Sequence, residues 1–419
     1  MEVFENRVLN GVLKFAPDVS TIDAAQRLLA RDVEIVADSE RSGVSDLWPC
    51  IWALAAILER QFSGAVFIRC GLKSFLPQPS MLGSRCKFVS SPVEDTLKIG
   101  LGGDVESRNS DSVWGDARGS TLSYGTLIPG REHAHPITSF ALAGYLGYTA
   151  LARAVRMPPH KPSLASSLIH LPLFEGGEVQ GYPEGLTFIG LGQLGQAYLC
   201  LLYFMLRKFH TPPRIVLVDK DYFEEGNHAT QLLLDDLGTW NGMAKSQYLE
   251  AMLKEWGCSV EGGLTQITWE WKRPHGYPKL AILGLDDFDV RRMVIEAGFD
   301  WVIEAGLGTE FARPHITWHS LPPSRALAKR LFVQSPEPMS LDKFEDKLFV
   351  SSLRKTPGEC GWVTFKNVRA SAPSMGAVAA AYTWAEILRS ANGLREAVDG
   401  SAYLWSPLLP FWRIRFERS

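Results

Sequence analysis

The pattern of apolar positions changes character about two-fifths of the way along the chain. In the second part, short apolar runs alternate with amphipathic stretches. "LTFIGLG" (186–192) leads into a helix from about Gly192 to Phe209, and "RIVLVD" (Arg214 to Asp219) reads as the next strand. "MAKSQYLEAMLKEWG" reads as helix, "LAILGL" as strand, "FDVRRMVIEAGF" as helix and "WVIEAGLG" as strand. Strand, helix, strand at this spacing predicts a mostly parallel sheet with right-handed crossovers, the α/β class.

The first part has a different texture. "DLWPCIWALAAILERQF" (Asp46 to Phe62) reads as a buried helix and "GAVFIRCG" (Gly64 to Gly71) as the strand after it. The interval from Gly100 to Gly125 is rich in Gly, Ser and Asp and reads as loop. "HPITSFALAGYLGYTALARAV" (His135 to Val155) predicts a small-residue helix suited to close packing, ended by "MPPHKP". A linker around Leu173 to Gly185 divides the chain into units 1–175 and 176–419. Near the C-terminus, Met375 to Gly393 repeats the texture of the His135 helix, which suggests two related units.

Within the second unit, "FIGLGQLGQA" sets Gly190, Gly192 and Gly195 at a strand-to-helix turn. Side chains there would block the approach of a phosphate to the backbone, and the helix N-terminus offers free N–H groups and partial positive charge. The alternative is a tight turn needed only for packing. Asp219 follows Gly195 by 24 residues, at a strand end where a carboxylate can accept ribose hydroxyls. A hydride-transferring enzyme needs nothing further. Here Asp221, Asn227, Gln231 and Lys245 follow, and Asp286 and Asp287 sit at a third strand end. A lysine for phosphate and a carboxylate for a hard cation favour ATP with magnesium over NAD.

"GLGQLG … VLVDKDYFEEGNHATQ … GMAKSQ … GLDDFDVRR … VIEAGLG", in this order, resembles the adenylation domain of the E1, or ThiF/MoeB-like, activating enzymes. The resemblance runs from about Leu186 to Gly308, and "SAPSMGAVAAAYTWAEIL" is similar to that family's last core segment. It implies a Rossmann-like fold in which Gly190, Gly192 and Gly195 form the phosphate loop and Asp219 binds ribose. By the same resemblance Asp221 and Asn227 shape the nucleotide pocket, Gln231 lies beside it, Lys245 binds the ATP phosphates and Asp286 holds Mg2+. One departure stands out: the family's N-x-x-R-Q reads Asn227-His228-Ala229-Thr230-Gln231, so Thr230 replaces an arginine. Arg291, Arg313 or an arginine of the first unit would have to supply that charge, or catalysis is weakened.

The resemblance also implies a use for cysteine, since a thiol can take an acyl group from an acyl adenylate as a thioester. Cys360, in "KTPGECGWVTF", lies just before the last family-like helix, where some compact E1 enzymes carry their catalytic cysteine; within about 310–365 the resemblance also places a crossover segment. Glu359 beside it would raise its pKa, and a small residue in a tight turn is the plain alternative. Cys200 reads as core; Cys70, Cys258 and Cys50 read as packing residues. His133 and His135 alternate as metal ligands can, but a loop or packing role fits them better. Ser335 to Lys355 is charged and reads as a solvated excursion.

Composition narrows the classes. At 419 residues, with 46% hydrophobic and 21% charged residues, the chain is long enough for two cores and needs no disulfides to fold. A net charge of −3 gives no electrostatic case for nucleic acid or an anionic membrane. None of the 6 cysteines forms a CxxC, and the N-terminus lacks the features of a signal peptide, so a reducing, cytoplasmic setting is expected.

The first unit has no glycine motif in strand–helix context, and its helices look like those of a degenerate, inactive adenylation domain. The inactive-plus-active layout resembles the compact bacterial E1-like proteins of Bil-type antiphage ubiquitin-like conjugation operons. That implies a ubiquitin-like protein and an E2-like enzyme as partners, with a homodimer possible. A sulfur-carrier adenylyltransferase, a non-catalytic nucleotide-binding protein and a plain NAD(P) oxidoreductase remain the rivals.

Overall fold

The computed structural model describes residues 7–16, 18–37, 44–70, 82–102, 113–118, 120–124, 128, 133–157, 167–171, 181–209, 211–236, 238–308, 311, 314–321, 371–392, 397–403 and 411–415. The predicted segment Ser335 to Lys355, Arg313 and Cys360 lie outside them.

The first unit opens with helices α1 (Arg7–Phe15) and α2 (Ile22–Leu29), then β1 (Val33–Ala37), α3 (Val44–Gln61), β2 (Val66–Arg69), β3 (Cys86–Phe88), β4 (Leu97–Leu101), β5 (Val113–Arg118), β6 (Thr121–Tyr124), α4 (Pro136–Ala154) and β7 (Ser167–His170). The second contains β8 (Gly185–Ile189), α5 (Gln193–Phe209), β9 (Arg214–Asp219), a 3-10 turn (Glu225–Ala229), α6 (Lys245–Glu255), β10 (Ser259–Leu264), β11 (Leu280–Leu283), α7 (Phe288–Ile295), β12 (Trp301–Gly306), β13 (His315–Leu321), α8 (Pro373–Ala391), β14 (Ala397–Tyr403) and β15 (Phe411–Arg415).

The two sheets share one plan. The first runs β3-β2-β1-β4-β5-β6-β7 and the second β10-β9-β8-β11-β12-β13-β14-β15. In each, the first five strands pair in parallel and the later ones antiparallel. The α/β class with mostly parallel pairing is thus as the sequence predicts.

The interval from Gly100 to Gly125 corrects the sequence reading: it was expected to be loop, yet it holds β5 and β6. Its polar and small residues face inward for local reasons. Asp116 is buried because its carboxylate accepts from Ala117 N at 2.9 Å and Ile128 N at 3.2 Å. At Gly115, a Cβ would come within 2.6 Å of the Ser123 carbonyl oxygen. Polar residues satisfied inside a sheet defeat a reading that equates polarity with loop.

A layer of four helices joins the sheets. α4 and α8 are buried almost throughout, so they carry no solvent face and must be covered on all sides. They pack on each other, with α3 against α4 and α5 against α8. Both start on a proline, and both place a tyrosine at the tenth position, Tyr145 and Tyr382, whose hydroxyls meet at 3.0 Å. The two helices thus meet through residues at equivalent positions. Close approach is made by Gly144, where a Cβ would lie 2.6 Å from Val378 Cγ2 and 2.9 Å from Ser374 O. Trp384 stands on the other side and donates Nε1–H to Tyr198 O at 2.9 Å, and the Tyr198 hydroxyl donates to Leu283 O at 3.2 Å.

A buried ion cluster braces the second sheet. Glu304 of β12 is fully buried between Arg291 Nη1 at 2.7 Å and His319 Nδ1. Burial pushes the Glu304 carboxyl upward, but Arg291 and His319 outweigh it and hold it below 4.5.

Two substitutions test the helix layer in opposite directions. Gly144→Ala gains about 1 kcal/mol of helix propensity, yet its methyl meets main chain, so it should destabilise by a net ~1–3 kcal/mol in urea unfolding. Gly376→Ala, whose Cβ would find its nearest neighbour, Gln193 Cγ, at 3.4 Å, should be neutral or stabilising. For the ion cluster, Glu304→Gln should cost about 3–5 kcal/mol at pH 7, because Arg291 loses its carboxylate. A carboxyl with a depressed pKa stabilises the fold above its unfolded value and loses that contribution as pH falls through the folded one. The stability gap between wild type and Glu304→Gln should therefore be widest at neutral pH and close below pH 4.5, as read from urea midpoints across pH.

Candidate functional site

The loops that follow β9, β8 and β11 lie together, because these three strands are parallel neighbours in the second sheet. In such sheets ligands bind outside the carboxyl ends of the strands. The loops and the 3-10 turn carry the site residues predicted from the sequence, except Gly195 in the first turn of α5, Asp219 at the end of β9, Lys245, which opens α6, and Cys360, which lies outside the described residues.

The turn after β8 is held by close main-chain packing. Gly190 has φ of +85°, a conformation that favours glycine. At Gly195 a Cβ would lie 2.2 Å from the Gly190 carbonyl oxygen. Gly284, just after β11, is equally constrained: its Cβ would lie 2.5 Å from Gly190 O and 2.7 Å from Gly195 N. The pattern reading had passed over Gly284; its signal is a glycine directly after the apolar run "LAIL". At Gly192, by contrast, a Cβ would meet nothing within 4 Å. The turn thus packs inward through Gly190 and Gly195 and opens outward at Gly192, beside the N-terminus of α5.

Asp219 ties this turn to the next loop. Its Oδ2 accepts from Leu191 N at 2.5 Å and its Oδ1 from Asp221 N at 2.7 Å. Burial raises the Asp219 pKa, against the pull of these two amides and of Lys245. Each carboxylate oxygen keeps a further lone pair with which a ribose hydroxyl can bond. Lys245 is the first residue of α6; its amide donates to Asp221 O at 3.1 Å, and its Nζ lies 3.4 Å from Asp221 Oδ2. The lysine is largely buried while Asp221 is half-exposed, so the ammonium is aimed along a fixed direction.

Asn227 and Gln231 are brought in by the 3-10 turn. Asn227 is half-buried, and its Oδ1 accepts from Glu224 N at 3.4 Å, capping the turn. Gln231 is buried, with its side-chain oxygen bonded to the Gln196 amide in the first turn of α5. Gln196 returns the tie by accepting from Leu233 N at 3.1 Å. Asp286 is exposed in the loop after β11, and Asp287 caps α7 by accepting from Asp289 N at 2.8 Å.

Thr230 is buried, and its hydroxyl has no hydrogen-bond partner. It does not take the place of a phosphate-binding arginine. Arg291 is buried against Glu304 and donates Nε–H to Leu285 O at 3.0 Å, so it is committed to the sheet. An arginine of the first unit does reach this segment: Arg60 of α3 donates to Gln231 O at 2.9 Å and to Leu234 O at 2.6 Å.

The donor set suits a nucleotide with its cation. The outward-facing turn at a helix N-terminus fits phosphate, and the exposed Asp286 fits a magnesium ion that takes one or two carboxylates and completes its shell with phosphate and water. Among the described residues no group of three or more His, Cys, Asp or Glu is placed to hold a metal unaided. His135, weighed as a ligand, instead caps α4 by accepting from Ile137 N at 3.3 Å. No helix among the described residues is long and apolar enough to cross a membrane.

Of the described cysteines, Cys50, Cys86 and Cys200 have thiols pushed well up by burial, and Cys258 is raised to about 11 for the same reason.

Comparison with known proteins adds to this geometry. Among solved structures, E. coli MccB overlaps at a TM-score of 0.39 with 13% identity, covering 73% of this chain and 93% of that one. E. coli MccB with ATP overlaps at 0.36 with 13% identity, covering 72% and 94%. The bacterial E1-like protein BilD of Collimonas sp. (strain OK412) is 29% identical over 238 residues, which is 54% of this chain and 49% of that protein. The match thus spans about half the length of this curated relative. Residues 182–394, half of the chain and the whole of the site described above, match a family model, the BilD C-terminal domain. The chain belongs to the BilD family of bacterial E1-like proteins.

Proposed function

We propose that this protein is an ATP-dependent activating enzyme that adenylates the C-terminal carboxylate of a ubiquitin-like protein. The observation that carries this reading is the joined pair of loops at the carboxyl ends of β8 and β9. The glycine turn opens outward at a helix N-terminus, and Asp219 binds that turn to the loop in which Lys245 meets Asp221.

In this reading the nucleotide lies across the strand ends. The amides of the glycine turn and Lys245 hold the phosphates, Asp219 accepts the ribose, and Asp221, Asn227 and Gln231 frame the pocket. A carboxylate oxygen of the ubiquitin-like tail attacks the α-phosphorus, the bond to the bridging oxygen breaks, and pyrophosphate leaves. Charge builds on the leaving pyrophosphate, and Lys245 with the turn amides stabilises it where it develops. Magnesium, when bound at Asp286, screens the same charge.

The acyl adenylate then passes to sulfur: the thiolate of Cys360 attacks the acyl carbon, AMP leaves, and a thioester forms that an E2-like cysteine can take over. The raised thiols of Cys50, Cys86, Cys200 and Cys258 support looking elsewhere for the nucleophile. The first unit, 1–175, serves as an inactive adenylation-like partner of the active unit, 176–419. Its support is the shared strand order and the paired tyrosines. The family setting supports a role in antiphage conjugation, and the tyrosine-paired helices leave the possibility of a further homodimer untouched.

One observation favours a second reading. The buried Thr230 leaves the terminal phosphate without the arginine that the family motif supplies, which suits a nucleotide-binding protein that does not turn over. A sulfur-carrier adenylyltransferase would differ by needing no thioester at Cys360.

ATP–pyrophosphate exchange with a candidate ubiquitin-like protein decides among these, read beside a non-reducing gel. Asp286→Ala and Lys245→Ala should each lower exchange roughly tenfold to a hundredfold, the weight of one charge-assisted contact. Cys360→Ala should keep exchange and lose the reducible adduct. Exchange without any adduct in the wild type points to sulfur-carrier chemistry, and MgATP binding without exchange points to the non-catalytic reading.

A further inference from the structure

Arg60 belongs to the first unit, in the last turn of α3, yet most of what it holds belongs to the second. Its guanidinium is buried and serves three main-chain oxygens: Nη1 donates to Ala56 O at 2.8 Å, Nε to Gln231 O at 2.9 Å and Nη2 to Leu234 O at 2.6 Å. The nearby carboxylates are engaged elsewhere. Glu59 accepts from Gly83 N at 2.8 Å and Arg85 N at 3.0 Å, and Asp236 accepts from Ser84 N at 2.7 Å and lies 3.0 Å from His228 Nε2. Arg60 is thus a buried cation used to satisfy carbonyl groups of a loop in the other unit.

That loop is fixed on its far side to the phosphate turn. Gln231 bonds through its side chain to Gln196, and Gln196 accepts from Leu233 N at 3.1 Å. Gln196 follows Gly195 directly and stands in the first turn of α5, the helix start read above as the phosphate site. Residues 231–234 are therefore held between two anchors, α3 of one unit and the start of α5 in the other. Without Arg60, two buried carbonyls lose their donors, and the anchored loop is free to draw Gln196 and the helix start out of register.

We infer that Arg60 is a positioning residue for the nucleotide site: it acts from the first unit, through Gln231 and Gln196, to fix the phosphate-binding turn without touching the nucleotide. The inference rests on the reading of that turn as the ATP site. It also gives the first unit a definite task in the chemistry of the second. A lysine cannot replace Arg60 there, because a single ammonium on a flexible stem cannot span three carbonyls that a rigid fork meets at once.

The test compares Arg60→Lys and Arg60→Met with Arg85→Ala in the full chain. Arg85 holds the same end of α3, donating to Phe62 O at 2.6 Å and to Glu59 O, but gives nothing to residues 231–234. All variants are first checked by thermal unfolding, and Arg60→Lys keeps the experiment interpretable if Arg60→Met does not fold. MgATP binding is measured by calorimetric titration. For exchange-competent proteins, KM is read separately for ATP and for the ubiquitin-like protein. The expected result is a rise of about fivefold or more in Kd and KM for MgATP in Arg60→Lys, with KM for the protein substrate unchanged. Arg85→Ala should keep its nucleotide affinity within about twofold at a comparable loss of Tm. If Arg60→Lys loses Tm but keeps MgATP affinity, or if both variants lose affinity alike, Arg60 only cements the junction and the inference falls. A wild-type protein that binds no MgATP would instead overturn the reading of the site itself, and this inference with it.

Discussion

The structure depends on burying two helices that have no polar side. α4 and α8 lack a face that water could cover, so each requires the other, and beyond it a third and fourth helix and a sheet on either side. The approach is close because Gly144 carries no side chain where Val378 and the Ser374 carbonyl arrive. From that contact the order spreads to the strand ends. Trp384 reaches Tyr198 on α5, Tyr198 reaches the last residue of β11, and the loop bearing Asp286 begins at the next residue. Packing at the centre of the molecule thereby sets the geometry at its rim.

At that rim, the carboxylate read from the sequence as a ribose ligand has a mechanical task as well. Asp219 bonds amides from two loops at once, so the glycine turn and the loop before the 3-10 segment move as one piece. Such double use is economical in a parallel sheet, where consecutive strand ends are about 5 Å apart and one side chain can bridge two connections. The Lys245–Asp221 contact continues the same line to α6, so the groups assigned to ribose and phosphate form one connected framework.

In the second unit β8, β9, β11 and β12 were legible in the sequence because they are mostly apolar and flanked by helices punctuated by glycine and acidic residues, the expected signature of strands covered on both faces. The half-exposed β10 and the polar-interrupted β13 and β14 gave no such run. β9 falls on Arg214–Asp219, as the run "RIVLVD" indicates, and α5 starts one residue from where the glycine motif sets it. β5 and β6 were hidden because Asp116 and Ser123 are buried polar residues whose partners come from the main chain. Arg60 was hidden for a related reason. It acts on carbonyl oxygens more than 170 residues away, and a carbonyl leaves no trace in the identity of the residue that carries it. Thr230 could be read from the motif as a missing charge, but not as a side chain turned inward, which only the path of the loop after the 3-10 turn reveals.

The meeting of Tyr145 and Tyr382 has a consequence in mass action. Two separate subunits joined by such a contact would part on dilution, and their working fraction would follow concentration. Here the partners are tethered in one polypeptide, so each meets the other at a high effective concentration however scarce the protein is in solution. A protein that must act at a few copies would gain from this: the pairing of the two helices is present in every folded molecule, and needs no encounter to assemble it.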